Sequence, residues 1–260
     1  MKNKIANCIF LITFIISILL LIYLCNIIYT SFLNKLSLEN SFEQNNIFSI
    51  NKIVFFSSAF GESTINTNKT STFKNIFQYT DIAIFINNNS DTNSLENTLR
   101  SVTIENFKFI DLPKIGKPNL YYKNFYSIAT PSFDENNLIE SSLNFNITSD
   151  NNADLSVPTL FNNCANPITI SYKNSELIDE HTIINPDSIS YDGSLLKNCN
   201  IILNDLKCSF SFYIVIENNL GHKYRCPIYI DLPLSNNNNS IYDGTYIYSY
   251  DPNYSFYLYT

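Results

Sequence analysis

The chain has 260 residues, 45% of them hydrophobic and 15% charged, so it is long enough to bury a real core and too apolar to be disordered. Sixteen basic against 23 acidic residues leave a formal charge of −7 at pH 7. No cluster of Lys or Arg offers the grip on phosphate that nucleic acid demands, and nucleic acid is excluded as a partner on that ground.

After Lys2 and Lys4 no charge appears until Lys35, and residues 5–29 are almost wholly apolar. The run exceeds the roughly 20 residues that cross the hydrocarbon core, which predicts one transmembrane helix. A cleaved signal would be shorter and end on small residues, whereas this run leaves through Leu24, Cys25, Asn26, Ile27, Ile28 and Tyr29, so the anchor is expected to stay. Leu24 before Cys25 is a poor lipidation signal. The two lysines place a short tail, residues 1–4, in the cytoplasm and send the rest across a cell membrane. Without them, 14 basic and 23 acidic residues remain, a net of −9 on the exported side. Residues 30–50 read as a juxtamembrane linker.

From residue 51 to 260 the pattern is β throughout. Ile82, Ile84 and Ile86 alternate with other residues, as do Leu143, Phe145 and Ile147, and so do the residues of 168–172. Between Val102 and Phe109 the apolar phase flips, as a β-bulge requires. A short helix is expected near residues 94–99. Cys208, Phe210, Phe212, Ile214 and Ile216 face one way; Tyr224, Cys226, Ile228, Ile230 and Leu232 repeat the pattern across a loop holding His222. Shared parity predicts a hairpin with Glu217 opposite Lys223 and Ile214 opposite Cys226. The fold class expected is an all-β ectodomain, an antiparallel β-sandwich of immunoglobulin-like or jelly-roll-like type. It forms either one large sandwich or two smaller ones divided near residues 131–140.

The stretch from Gln78 through Tyr79, Thr80 and Asp81 to Asn89, and Tyr191-Asp192-Gly193-Ser194-Leu195-Leu196, resemble uncharacterised single-pass membrane-anchored proteins of bacteria with AT-rich genomes. The resemblance implies a membrane anchor and carries no activity, cofactor or site residue.

Candidate chemistry is sparse. Cys164, Cys199, Cys208 and Cys226 lie outside the apolar run. The hairpin register puts Cys208 about 20 Å from Cys226, too far for a disulfide, so any bridges would join Cys164 and Cys199 to the two hairpin cysteines; the alternative is four buried thiols. Tyr246, Tyr248 and Tyr250 share one strand face and are candidates for stacking on a sugar or a protein partner, against the plainer reading of rings packed on the core. Asp192 and Asp243 each precede Gly and read first as turn residues. Asp150, Asn152 and Asp154 imitate the start of a calcium loop, but Leu155 and Phe161 stand where its glycine and glutamate belong. Pro227 marks its strand as an edge or a bulge.

No cofactor and no metal is implied. The expected role is a membrane-tethered binding or structural module at the cell envelope, not an enzyme, with an envelope protein or cell-wall glycan as partner. The rival is an envelope hydrolase, which needs Asp192, Asp243 and His222 in one cleft. A pilin-like or secretion-assembly subunit is a third reading, weakened by the lack of a glutamate in the apolar run.

Overall fold

The computed structural model describes residues 16–17, 20–21, 23–24, 44–66, 70–90, 94–148, 159–161, 167–184, 189–233, 240–252 and 254–259. Two units divide the chain, Met1–Glu43 and Gln44–Thr260. In the first, Ile16, Ser17, Leu20, Leu21, Tyr23 and Leu24 are helical and exposed. The rest of the predicted span at residues 5–29 lies outside the described residues. Among the described residues, no helix is long and apolar enough to cross a membrane.

The second unit is all-β. Its strands are β1 (Gln44–Asn66), β2 (Thr70–Asn88), β3 (Leu99–Asp111), β4 (Lys117–Tyr122), β5 (Leu143–Thr148), β6 (Thr159–Phe161), β7 (Ile168–Ile184), β8 (Cys208–Asn218), β9 (Lys223–Leu232), β10 (Tyr246–Tyr250) and β11 (Tyr254–Tyr259). They make one hydrogen-bonded sheet in the order β4-β7-β2-β1-β11-β9-β8-β3-β5-β6, with β10 beside β1. Every pair is antiparallel except β5 with β6. The expected sandwich of two sheets is therefore corrected to a single, nearly closed, barrel-like sheet. The physical reason is β11: it pairs with β1 from Gln44 to Ile50 and with β9 from Lys223 to Arg225, so the ladder runs from one half into the other.

The inner face holds the main core. Ile53, Phe55, Ile82, Ile84, Ile168, Ile170 and Tyr172 from one half pack against Val102, Ile104, Phe210, Phe212, Ile214 and Ile228 from the other. Tyr172 stacks on Phe210 with ring centroids 6.0 Å apart, and Tyr122 of β4 meets Phe145 of β5 edge-on at 6.2 Å. The two halves of the strand order thus face each other across the core.

Residues 123–141, between β4 and β5, form a strap. It first covers the outer face of β4, β7 and β2. It then runs along the free edge of β4, where Leu138 bridges Tyr121 and the Ile139 amide donates to the Leu120 carbonyl at 2.8 Å. Finally the Phe107 amide of β3 donates to Ser141 at 3.1 Å. The predicted boundary at 131–140 is therefore not a domain border but part of this strap inside one unit. The predicted linker, 30–50, gives up its last residues to β1, which begins at Gln44.

β1, β2 and β7 run on past the barrel, and bulges mark where they leave it. Pairing slips between Phe60 and Glu62 on β1 and between Ile76 and Gln78 on β2. Asn75 and Glu176 take positive φ there. The extra residues reverse which side chains face inward, so Phe73 and Leu177 join Ile76, which keeps the phase of Ile82 and Ile84, in a second core with Leu195, Leu196, Cys199, Ile201, Leu206 and Ile241. The short helix α1 (Ser194–Asn198) supplies part of it. Gly193 enters this helix against a wall: a Cβ there would lie 2.1 Å from the Ile241 carbonyl and 2.3 Å from that of Gly244.

The hairpin register is as the parity argument requires, with Glu217 opposite Lys223, Ile214 opposite Cys226 and Cys208 opposite Leu232. The bulge between Val102 and Phe109 falls between Glu105 and Lys108. The helix expected near 94–99 is instead a turn: the Asn97 amide donates to Ser94, and the Leu95 and Thr98 carbonyls accept the Asn219 amide from the hairpin loop. Of the two readings left open, bridges or buried thiols, Cys199, Cys208 and Cys226 show the second: all three are free and buried. Cys199 belongs to the second core and the other two to the first; Cys164 lies outside the described residues.

Burial pushes the thiols of Cys199 and Cys208 up to about 11 and that of Cys226 up to about 12. Each is raised above its unfolded value of 9.0, so the stability tied to its neutral form is complete below pH 9 and drains away as pH rises toward 11 or 12. These three thiols are expected to resist iodoacetamide at pH 8 until urea unfolds the chain, and the urea midpoint is expected to fall between pH 9 and 11. Mass spectrometry of the labelled peptides and urea titrations across that range check both.

Candidate functional site

The tyrosine strand comes first. On β10, Tyr246, Tyr248 and Tyr250 pair with Ser57, Phe55 and Ile53, on the side of the sheet that carries the core. Their rings form a ladder, with centroids 6.4 Å apart from Tyr246 to Tyr248 and 5.9 Å from Tyr248 to Tyr250. Tyr250 stacks on Phe55 at 6.1 Å. Tyr246 is buried and Tyr250 packs on the core, which leaves Tyr248, 38% exposed, as the accessible ring. The ladder is chiefly packing.

Of the three residues of the hydrolase reading, Asp192 lies beside the turn that holds Asp243, its Oδ2 3.5 Å from where a Cβ on Gly244 would stand, but His222 does not meet them. Asp192 Oδ1 accepts from the Ser194 amide at 2.9 Å and from Ser194 Oγ at 2.6 Å, closing the turn into α1. Asp243 caps its own short helix through the Ser240 amide at 2.9 Å. His222 sits in the β8–β9 loop, its amide donating to Asn218 Oδ1 at 2.9 Å. Tyr191, beside Asp192, bonds Ser63 near the far end of β1, whereas Lys223, beside His222, pairs with Tyr259 of β11, next to the start of β1. Along β1 that separation is on the order of 50 Å. The calcium-like run at residues 150–154 lies outside the described residues.

The most constrained chemistry is on the outer face, on side chains that no motif singled out. Asp81 of β2 is fully buried under the strap, and Lys123, the residue after β4, is 4% exposed. Lys123 Nζ donates to Asp81 Oδ1 at 2.9 Å and Oδ2 at 3.0 Å. The carboxylate also accepts from Ser171 Oγ at 2.6 Å and from the Ala129 amide at 2.7 Å. A third proton of the ammonium goes to the Thr130 carbonyl. Both charges are therefore fully coordinated, as burial demands.

Aromatic rings surround the pair. Lys123 Nζ lies 4.9 Å from the Tyr79 ring and 4.7 Å from that of Phe133. Lys173 of β7 sits 4.9 Å from the other side of the cluster at Phe133, 5.2 Å from Phe77 and 5.6 Å from Tyr121. Glu135 draws the edge together, accepting from the Tyr121 hydroxyl at 3.0 Å and standing 3.7 Å from Lys173. Burial, then the hydrogen bond to Glu135, pushes the Tyr121 hydroxyl up to about 12.

Beside this cluster, at the level of the bulges, lies a shallow cavity of roughly 290 Å³. Phe60, Phe77 and Ile178 give it apolar walls; Glu62, Asn75, Lys173, Glu176 and Asp179 supply polar groups. The one sequence signal for this region is Asp81 itself, a carboxylate directly before the apolar run from Ile82 to Ile86 that, once buried, has to find a cation. Its partner 42 positions on had no local signature.

No family model matches the chain, and neither a curated protein nor a solved structure matches it at a significant level.

Removing one member of a buried ion pair strands the other. Asp81→Ala is expected to lower stability by about 3–5 kcal/mol. Adding Lys123→Met to it is expected to restore part of the loss, because the double variant buries no unpaired charge. A double-mutant cycle by urea unfolding reads this directly.

Proposed function

We propose that the chain is a membrane-tethered, extracytoplasmic binding or structural module of the bacterial cell envelope, and that it meets glycan at the cavity beside Phe60 and Phe77. The observation that carries the reading is the lining of that cavity: two aromatic rings with Glu62, Asn75, Glu176 and Asp179 around them. A pyranose has an apolar face that stacks on rings and hydroxyls at its edge that donate to carboxylates and amides, so this lining suits it. Against Lys173 in the same lining and Lys117 paired with Glu176, the three carboxylates leave a modest acidic excess, which disfavours an anionic polymer and favours neutral or amino sugars. Tethering rests on the uncharged run at residues 5–29 and the orientation on Lys2 and Lys4.

Purified full-length protein in detergent is expected to pull down neutral or amino-sugar cell-wall glycan. The double variant Phe60→Ala/Phe77→Ala is expected to weaken that binding about tenfold or more, and Tyr248→Ala to leave it nearly unchanged. Loss with Tyr248→Ala alone would move the binding face to β10. Failure of the unaltered protein to retain any glycan would overturn the proposal.

A further inference from the structure

We propose that Asp81 and Lys123 condense into an intramolecular amide, a covalent brace from β2, across β7, to the residue where β4 hands over to the strap. The juxtaposition is that of an amine held at the edge of a carboxyl group. Lys123 Nζ stands 2.9 Å and 3.0 Å from the two carboxylate oxygens, in direct hydrogen bonds to both, so attack requires it to rise over the carboxyl plane toward Cγ. Confinement at this distance supplies the proximity, and that short shift has to supply the alignment.

The surroundings match what such a condensation needs. Ser171 Oγ, 2.6 Å from Oδ1, and the Ala129 amide, 2.7 Å from Oδ2, are fixed donors to the two oxygens. Whichever oxygen becomes the oxyanion of the tetrahedral intermediate already has its donor. The Thr130 carbonyl orients the nitrogen by accepting one of its protons. Tyr79 and Phe133 wall the site, and the pair is almost wholly out of solvent, which favours amide over its hydrolysis. Burial raises the Asp81 carboxyl and lowers the Lys123 ammonium, so both move toward the neutral forms that react.

The step balances without a cofactor. A proton passes from the ammonium to the carboxylate, leaving an amine and a carboxylic acid. Nζ then attacks Cγ, and the Nζ–Cγ bond forms. One Cγ–Oδ bond breaks, and that oxygen leaves as water, taking a proton from the nitrogen with it. No atom changes oxidation state. The product ties together residues 42 positions apart and fixes the start of the strap to the sheet beneath it.

The test is the intact mass of the full-length protein, extracted from membranes in detergent and held folded at pH 7, followed by tryptic mapping. The expected mass is that of the sequence less one water. The expected map has no cleavage after Lys123, and one branched peptide contains both Asp81 and Lys123. Lys123→Arg, which keeps the ion pair but cannot form this amide, is expected to show the full sequence mass and only linear peptides. The full sequence mass in the folded unaltered protein, with ordinary cleavage after Lys123 and no branched peptide on prolonged incubation, would overturn the proposal.

Discussion

Asp81 stands in the middle of β2, where an ionised side chain out of water costs several kcal/mol unless its partners are in place. Those partners are Ser171 from the neighbouring strand and Lys123, Ala129 and Thr130 from the strap, the last acting through Lys123. The strap therefore cannot leave the sheet without stranding a buried carboxylate. Because the same segment goes on to bond the free edge of β4 and then β3, the pair beneath it governs how the two ends of the strand order are brought together.

The second constraint is the row of bulges across β1, β2 and β7. Without it, strands of this length would carry one set of side chains inward along their whole run. With it, Ile82, Ile84, Ile168 and Ile170 serve the barrel while Phe73 and Leu177, of opposite phase, serve the small core built with α1. The cavity at Phe60 and Phe77 lies at the level of these bulges. The second core and the candidate binding surface thus share one feature of the backbone.

Much of the β-structure was legible because strands with one buried face announce themselves by period. The β8–β9 hairpin followed from parity alone, and it separated Cys208 from Cys226. The bulge in β3 was visible as a phase flip. What was not legible depended on contacts distant in sequence. β11 joins the two halves into one sheet, a role that nothing in Tyr254–Tyr259 marks, so the reading stopped at two sheets. The alternation of Ile82, Ile84 and Ile86 marked one face of β2 as core but could not show that the strap, far along the chain, buries the other. The spacing of the β10 tyrosines left both a presented face and packing on the core open, because it could not say which side of β1 they would share.

The Asp81–Lys123 contact holds the strap on the sheet. Hydrogen exchange of the full-length protein, compared with Asp81→Ala, measures this most directly. Amides at Ala129 and Ile139 are expected to lose protection in the variant, while those of the β8–β9 hairpin keep it. Unchanged protection across residues 123–141, with the carboxylate gone, would contradict it.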